Sequence, residues 1–493
     1  MKKNHIILLI GAALGAGCAL TTACTESDFD KYPSDNFTES GFFQDGQSIE
    51  QMLTDAYASL REVYRYYYYV ADIPSDDTYN SKFNNAADLI TINEANASAD
   101  NGALNNLWKN SYAVISRAHL VLEKAEEVKQ LDPTLKTRYQ NEAKYLRALM
   151  YFNLVRIFGD VPLVLKDVKE DKELFEYGRE PKANVYTQII NDLKAATALP
   201  LSYAENPDIG RATGTAARAL LAEVHLTLKD YSSARSVLEE LFTLNHGRRL
   251  LNDYADVFDA ANPNNDEIVF AVQYARGYDP SMGNPTVPGT FPNEDMTIPI
   301  GSGILNRGTG TFLMTSDLLK SFEAGDARLG MIRQMAGTRR NYIFMLKYYD
   351  FGMISKVDSG CDWIVHRWAD VLLMYAEALN ETGATDLALG YLETVRNRAG
   401  LTTDAALGTD RNAMALAIEK ERRTELFCEG HRWFDLVRTG RATEVMNDHF
   451  DDPTQDNDER GSDCVMEDYK LVFPIPVNQV LLNPDKIKQN PGY

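Results

Sequence analysis

The chain has 493 residues, with 71 acidic against 50 basic side chains and a formal charge of −21. That excess argues against nucleic acid, whose binding rests on neutralising phosphates with lysine and arginine, and against adsorption on anionic lipid headgroups. Aromatics make up 10% of the residues, 26 of them tyrosine, so the acidity is not that of a disordered tail.

In chain order, Lys2 and Lys3 precede an apolar run from Ile6 to Leu20. A basic start and a short apolar stretch describe a secretory signal, and the run is short of the roughly 20 residues of a spanning helix. Leu20, Thr21, Thr22 and Ala23 then lead into Cys24 in a pattern that resembles a bacterial lipobox, where the cysteine is lipidated and becomes the first mature residue. Cys18 is a second candidate, but cleavage there would leave Ala19–Ala23 on the mature chain, so Cys24 is preferred. Two or more acyl chains anchor a protein without any spanning helix. The expected organisation is a signal over residues 1–23, a lipidated tether over 24–45 and a single folded body over 46–493.

Helical periodicity dominates that body. Met52, Ala56, Leu60 and Val63 share one face of a helix expected over 48–64. Two more are expected over 107–128 and 139–162, the latter stopped by Gly159 and Pro162. Ala222 and Ala234, followed by Leu238, recur in the same spacing as Ala376 and Ala388, followed by Leu392. Small residues so spaced let two helices of a hairpin approach closely, in the phase of a tetratricopeptide-type pair. Residues around 146–154 and 185–200 would form a third pair, separated by an insertion. Between the hairpins, residues 262–360 are dense in Gly, Pro and Asn, which predicts ordered loops of the sort that carry function.

The stretch "VHRWADVLLMYAEALNETG" (365–383), together with "LETVRNRAGL", "EKERRTELFCEGHRWFDLVRTGR" and "LVFPIPVNQVLLNPDKIKQNPGY", resembles the RagB/SusD family of surface glycan-binding lipoproteins. "DFDKYP", "YLRALMYFNLVRIFGDVPLV" and "GRATGTAARALLAEVHL" extend the resemblance over nearly the whole mature chain. It implies a mainly α, SusD-like fold: tetratricopeptide-like hairpins packed against an irregular loop-rich region with a few short strands. It also implies a lipid-anchored place on the outer-membrane surface and an oligosaccharide ligand. The implied partner is a SusC-like TonB-dependent transporter, with no catalysis and no cofactor. A glycan-degrading enzyme, and a lid or scaffold that binds no ligand or a non-glycan nutrient, are the competing readings.

Family members draw ligand contacts mainly from irregular loops, including the loop after the first long helix. Here that segment is "YRYYYYVADIPSDDTYNSKFNN" (64–85), where four consecutive tyrosines cannot all face a core. Sugars need an aromatic platform and planar polar groups, so Asp76, Asp77, Tyr79, Phe83 and Asn84 are the expected ligand residues. On the same grounds Tyr278 and Phe291 join them from the second loop region. The alternative is that the aspartates cap a turn and the tyrosines pack.

Other features have plainer readings. The run of Glu421, Arg422, Arg423, Glu425, Glu429, Arg432 and Asp435 is expected to form bracing ion pairs, with Trp433 and Phe434 in the core. Trp108 and Trp363 are also expected to be structural. Residues 456–467 place acids at some positions of a calcium loop, but Arg460 stands where a ligand is needed and flanking helices are not evident, so a solvated loop is expected. His119, His225, His366 and His431 lack metal spacing, and no nucleophile elbow, HExxH or phosphate loop occurs. Cys361, Cys428 and Cys464 allow at most one bridge.

Overall fold

A computed structural model describes residues 45–81, 85–168, 170–204, 208–244, 246–293, 308–337, 341–353, 355, 357–452 and 464–493. Cys24, Phe83, Asn84 and most of the acidic segment 456–467 lie outside the described residues.

Helix α1 (Gly46–Tyr64) begins where the Asp45 carboxylate accepts the Ser48 N–H, and the short α2 (Tyr67–Ala71) follows. Next come α3 (Gly102–Glu127) and α4 (Pro133–Phe158). Asn101 caps α3 through the Ala103 and Leu104 amides, and Asp132 caps α4 with Pro133 as its first residue. Both helices therefore start several residues earlier than hydrophobic periodicity alone places them, because an N-cap acts before the apolar stripe begins. Helix α4 is buried along nearly all of its second half, from Tyr145 to Val155. A helix apolar on every side belongs at the centre of a bundle, and α1, α3 and α5 (Lys182–Ala196) pack round it.

Two hairpins complete the helical part: α6 (Gly214–Thr227) with α7 (Tyr231–Thr243), and α8 (Trp368–Glu381) with α9 (Thr385–Arg398). Ala222, Ala234, Ala376 and Ala388 are all fully buried, as are Leu238 and Leu392, so the repeated spacing does mark close helix contacts. The first turn holds Lys229 in a left-handed conformation, and Gly383 takes that conformation in the second. Helices α10 (Arg411–Glu425) and α11 (Arg432–Thr439) pack beside them.

The loop-rich part is tied together by short antiparallel pairs. Strand β1 (Thr78–Tyr79) pairs with β3 (Leu313–Met314), and β2 (Ile268–Val272) with β6 (Trp363–Arg367). Strands β4 (Ile332–Ala336) and β5 (Asn341–Met345) form a hairpin in the register Ile332↔Met345. The fold is thus the mainly helical one that the sequence implies, hairpins packed against a loop-rich part with a few short strands.

A buried ionic core joins the two parts. Arg367 is enclosed by Glu267, Glu425 and Glu429, Arg328 by Asp326, Glu421 and Glu425, and Arg398 by Glu267 and Glu425. The Lys347 ammonium donates to Glu429 at 2.6 Å and to the Phe427 carbonyl at 2.7 Å. Charges this deep are tolerable only when fully paired. The expected bracing role of the charged stretch is therefore what the structure shows, and Trp433 and Phe434 are core. So are Trp108 and Trp363, the latter stacked on Tyr348.

The histidines also serve structure: His119 bonds the Val164 carbonyl, and His366 bonds Glu223 at 2.8 Å. None of Cys361, Cys428 and Cys464 is in a disulfide. Among the described residues no cluster of three metal-ligating side chains occurs, and no helix is long and apolar enough to cross a membrane.

Candidate functional site

On the loop-rich side, the turn at Ala255–Ala261, Arg276, the start of β4 and the segment 346–352 enclose a cleft of about 520 Å³. Its most prominent side chain is Phe351, which is 65% exposed. That ring stands edge-on to Tyr349 at 4.9 Å, Tyr349 edge-on to Phe291 at 5.4 Å, and Phe291 edge-on to Phe344 at 5.3 Å. These T-shaped contacts are favourable for aromatic rings. They make a column rooted in the core whose outermost face is free. A single exposed phenylalanine is ordinary; this one stands on a column of rings beside a mainly apolar cleft that also holds a few charged groups.

The polar groups beside it are fixed with similar care. Asp350 accepts the Gly352 N–H at 2.8 Å, the Gly360 N–H at 2.9 Å and the Arg276 guanidinium at 2.5 Å. A Cβ on Gly352 would fall 1.8 Å from Arg276 Nη1, so a larger residue there would displace that guanidinium. Arg333 is held by Nη1, which donates to the Gly330 and Ile332 carbonyls at 2.8 and 3.0 Å. Asp256 and Asp259 are exposed along the turn, and Asp259 steadies it by accepting the Ala261 N–H. An apolar face flanked by planar donors and acceptors is what a pyranose ring with its hydroxyls needs.

The residues singled out from sequence fall in three places. Asp76 lies at the floor of a second opening of about 500 Å³, among Arg423, Arg432, Glu419, Asp317 and His449. Its carboxylate takes both arms of Arg432, at 2.8 and 2.9 Å, and Arg423 at 2.9 Å. Burial alone would raise its pKa, but the two guanidiniums override this and hold it well below the usual carboxylate range. Asp77 accepts Arg423 Nε at 2.6 Å, and burial beside Asp76 pushes its carboxyl upward. The two aspartates clamp the segment after α2 to α10 and α11.

Tyr79 and Phe291 are each only 1% exposed. The ligand contacts expected of Asp77, Tyr79 and Phe291 are therefore corrected: all three are enclosed by protein and have no surface to offer. Phe291 instead supports the column beneath Phe351. Tyr278 is 59% exposed, two residues beyond Arg276. Of the four tyrosines, Tyr67 and Tyr68 are buried, while Tyr66 and Tyr69 form a half-buried edge-on pair at 5.8 Å. All four thus pack in or against the core, the half-buried pair at its margin.

Phe351, Tyr349, Arg276 and Arg333 were not singled out from the sequence. The signal was present in "YYDFG" (348–352), an aromatic run that ends in glycine inside the aperiodic region.

Residues 331–493 match the SusD family, and residues 29–226 match a family described as starch-binding, associating with outer membrane. A SusD-like protein, P25, of Formosa agariphila is 26% identical over 446 residues, spanning 82% of this chain and 82% of its own. Among solved structures, a laminarin-binding SusD-like protein is 26% identical, covering 91% of this chain and all of its own, with a TM-score of 0.76. Surface glycan-binding protein A of Bacteroides thetaiotaomicron, solved with laminarihexaose, has the same TM-score at 20% identity, which speaks to the fold alone.

Proposed function

We propose, on the premise that this chain belongs to the SusD/RagB family, that it captures oligosaccharide or polysaccharide at the cell surface and passes it to a SusC-like TonB-dependent transporter. Cys24 is the proposed lipid anchor, with the chain on the outer face of the outer membrane. The family description as outer-membrane-associated supports that location, and the laminarin-binding relative supports a glycan as the ligand.

The observation that carries the reading is the exposed Phe351 ring, set on a buried aromatic column beside two pinned arginines. The protein acts by binding, without turnover. In support, the acids of the conspicuous charged stretch are committed to buried ion pairs. Tyr278 is proposed as an accessory contact beside the cleft. Asp76, on its own at the second opening, is proposed to hold the loop base and not the ligand.

The test is a glycan array probed with the mature protein, followed by titration of any hit against the Phe351→Ala variant. Binding that the variant loses supports the reading. An array without hits, or a hit that the purified protein shortens, would overturn it.

A further inference from the structure

The proposed glycan cleft contains a more specific signal in how its two arginines are held. Arg276 donates through Nη1 to Asp350, and Arg333 donates through Nη1 to two backbone carbonyls. The fixing bonds of both guanidiniums leave the Nε–Nη2 edge unused. Neither edge is a buried group in want of a partner: both side chains are exposed and line the same cleft. The Nε–Nη2 edge is the one that donates two parallel bonds to a carboxylate or sulfate. Arg333 is fixed without any carboxylate among its bonds, so no acid neutralises it at hydrogen-bond range.

Arg276 is set in place by its bond to Asp350, with its guanidinium lying in the space that the missing side chain of Gly352 leaves. Such pre-positioning lowers the ordering cost when a rigid anion docks. Two acids, Asp256 and Asp259, also line the cleft. They are exposed and hydrated, and a carboxylate that is not in contact with the anion acts on it only through high-dielectric solvent, where repulsion is weak. They remain available to accept sugar hydroxyls.

We infer that the cleft selects acidic glycans, a uronate carboxylate or a sulfate ester being gripped by Arg333 and Arg276 while a sugar ring covers Phe351. This rests on the reading of the cleft as the glycan site and adds the class of glycan. The two sources of negative charge share one recognition chemistry, and the probes below separate them.

The experiment uses the mature protein and matched probe pairs. Oligogalacturonides are paired with their methyl esters, and sulfated galactan oligomers with their desulfated forms; laminarihexaose serves as a neutral control. Binding is measured by calorimetry for the wild type, Arg333→Gln, Arg333→Lys and Phe351→Ala. At least one acidic probe is expected to bind roughly tenfold or more tighter than its neutral partner. Arg333→Gln is expected to abolish that preference. Arg333→Lys, which keeps the charge and loses the fork, should restore only part of it.

If neutral partners or laminarihexaose bind as well as the acidic forms, and Phe351→Ala weakens them while Arg333→Gln does not, the acidic selectivity is wrong and the glycan cleft stands. If no probe binds, or binding ignores Phe351→Ala as well, both are overturned. Unchanged melting of Arg333→Gln, expected for a side chain on an exposed hairpin, separates loss of grip from loss of fold.

Discussion

Replacing Phe351 with alanine separates ligand binding from stability. With 65% of its surface exposed, the ring contributes little to the core, and the fold is expected to lose no more than about 1 kcal/mol. A phenylalanine offers roughly 200 Å², so about 130 Å² faces solvent. If a sugar ring covers half of that, the area removed from water stabilises the complex by about 1.6 kcal/mol at 25 cal/mol per Å². The area lost on the sugar side raises this to at most about 3 kcal/mol. Affinity should therefore fall about 10- to 150-fold.

Calorimetric titration with an array-identified glycan, alongside thermal melting, measures both quantities. Phe291→Ala is the contrasting control: the ring is buried beneath Tyr349, so it should destabilise the fold by about 3–5 kcal/mol. Wild-type affinity in Phe351→Ala would refute the platform argument, and so would a loss of affinity matched by a loss of fold.

Other expected outcomes follow from the same contacts. Gly352→Ala should force Arg276 off Asp350 and weaken glycan binding severalfold with little change in melting, checked by the same titration. Asp76→Asn should leave Arg423 and Arg432 buried without their shared carboxylate and destabilise by about 3 kcal/mol, read from urea unfolding, while affinity per folded molecule stays unchanged. Acid should unfold the protein. Burial alone would raise Glu425 and Asp435, yet the surrounding arginines hold both well below the ordinary range. The unfolded chain then takes up protons that the folded one refuses. That stability is complete above about pH 4.4 and is lost as pH falls, while Asp72, which burial raises, opposes the trend. Lys347 is lowered to about 8, chiefly by burial. Its contribution should make the fold more stable as pH rises from about 8 to 10.5, seen as a shallow increase in urea midpoint that Lys347→Met removes.

The helices were legible because their signals are local. The alanine spacing of the two hairpins, and the stop at Gly159, need only the residues of one or two turns. Starts at Gly102 and Pro133 were misplaced because the capping residues Asn101 and Asp132 precede the apolar stripe.

What sequence could not deliver was pairing at a distance. Arg432 and Asp76 stand 356 positions apart, and Arg367 and Glu267 stand 100 apart. Nothing local distinguishes those acids from the other acidic side chains. For that reason nothing in the sequence showed that Asp76 and Asp77 are paired with Arg423 and Arg432. Tyr79 is likewise buried, on a strand whose partner Leu313 lies far along the chain. The segment "YYDFG" held the right chemistry, but exposure decides which of three aromatic rings is a platform. That is a property of the packed molecule.

The most direct measurement is a crystal structure of the mature protein soaked with an oligosaccharide that it binds in solution. A sugar ring covering Phe351, with polar groups of the same glycan on Arg276 or Arg333, is the expected result. Density for the glycan at the Asp76–Arg432 opening, or on the helical face with Phe351 bare, would contradict the assignment of the cleft.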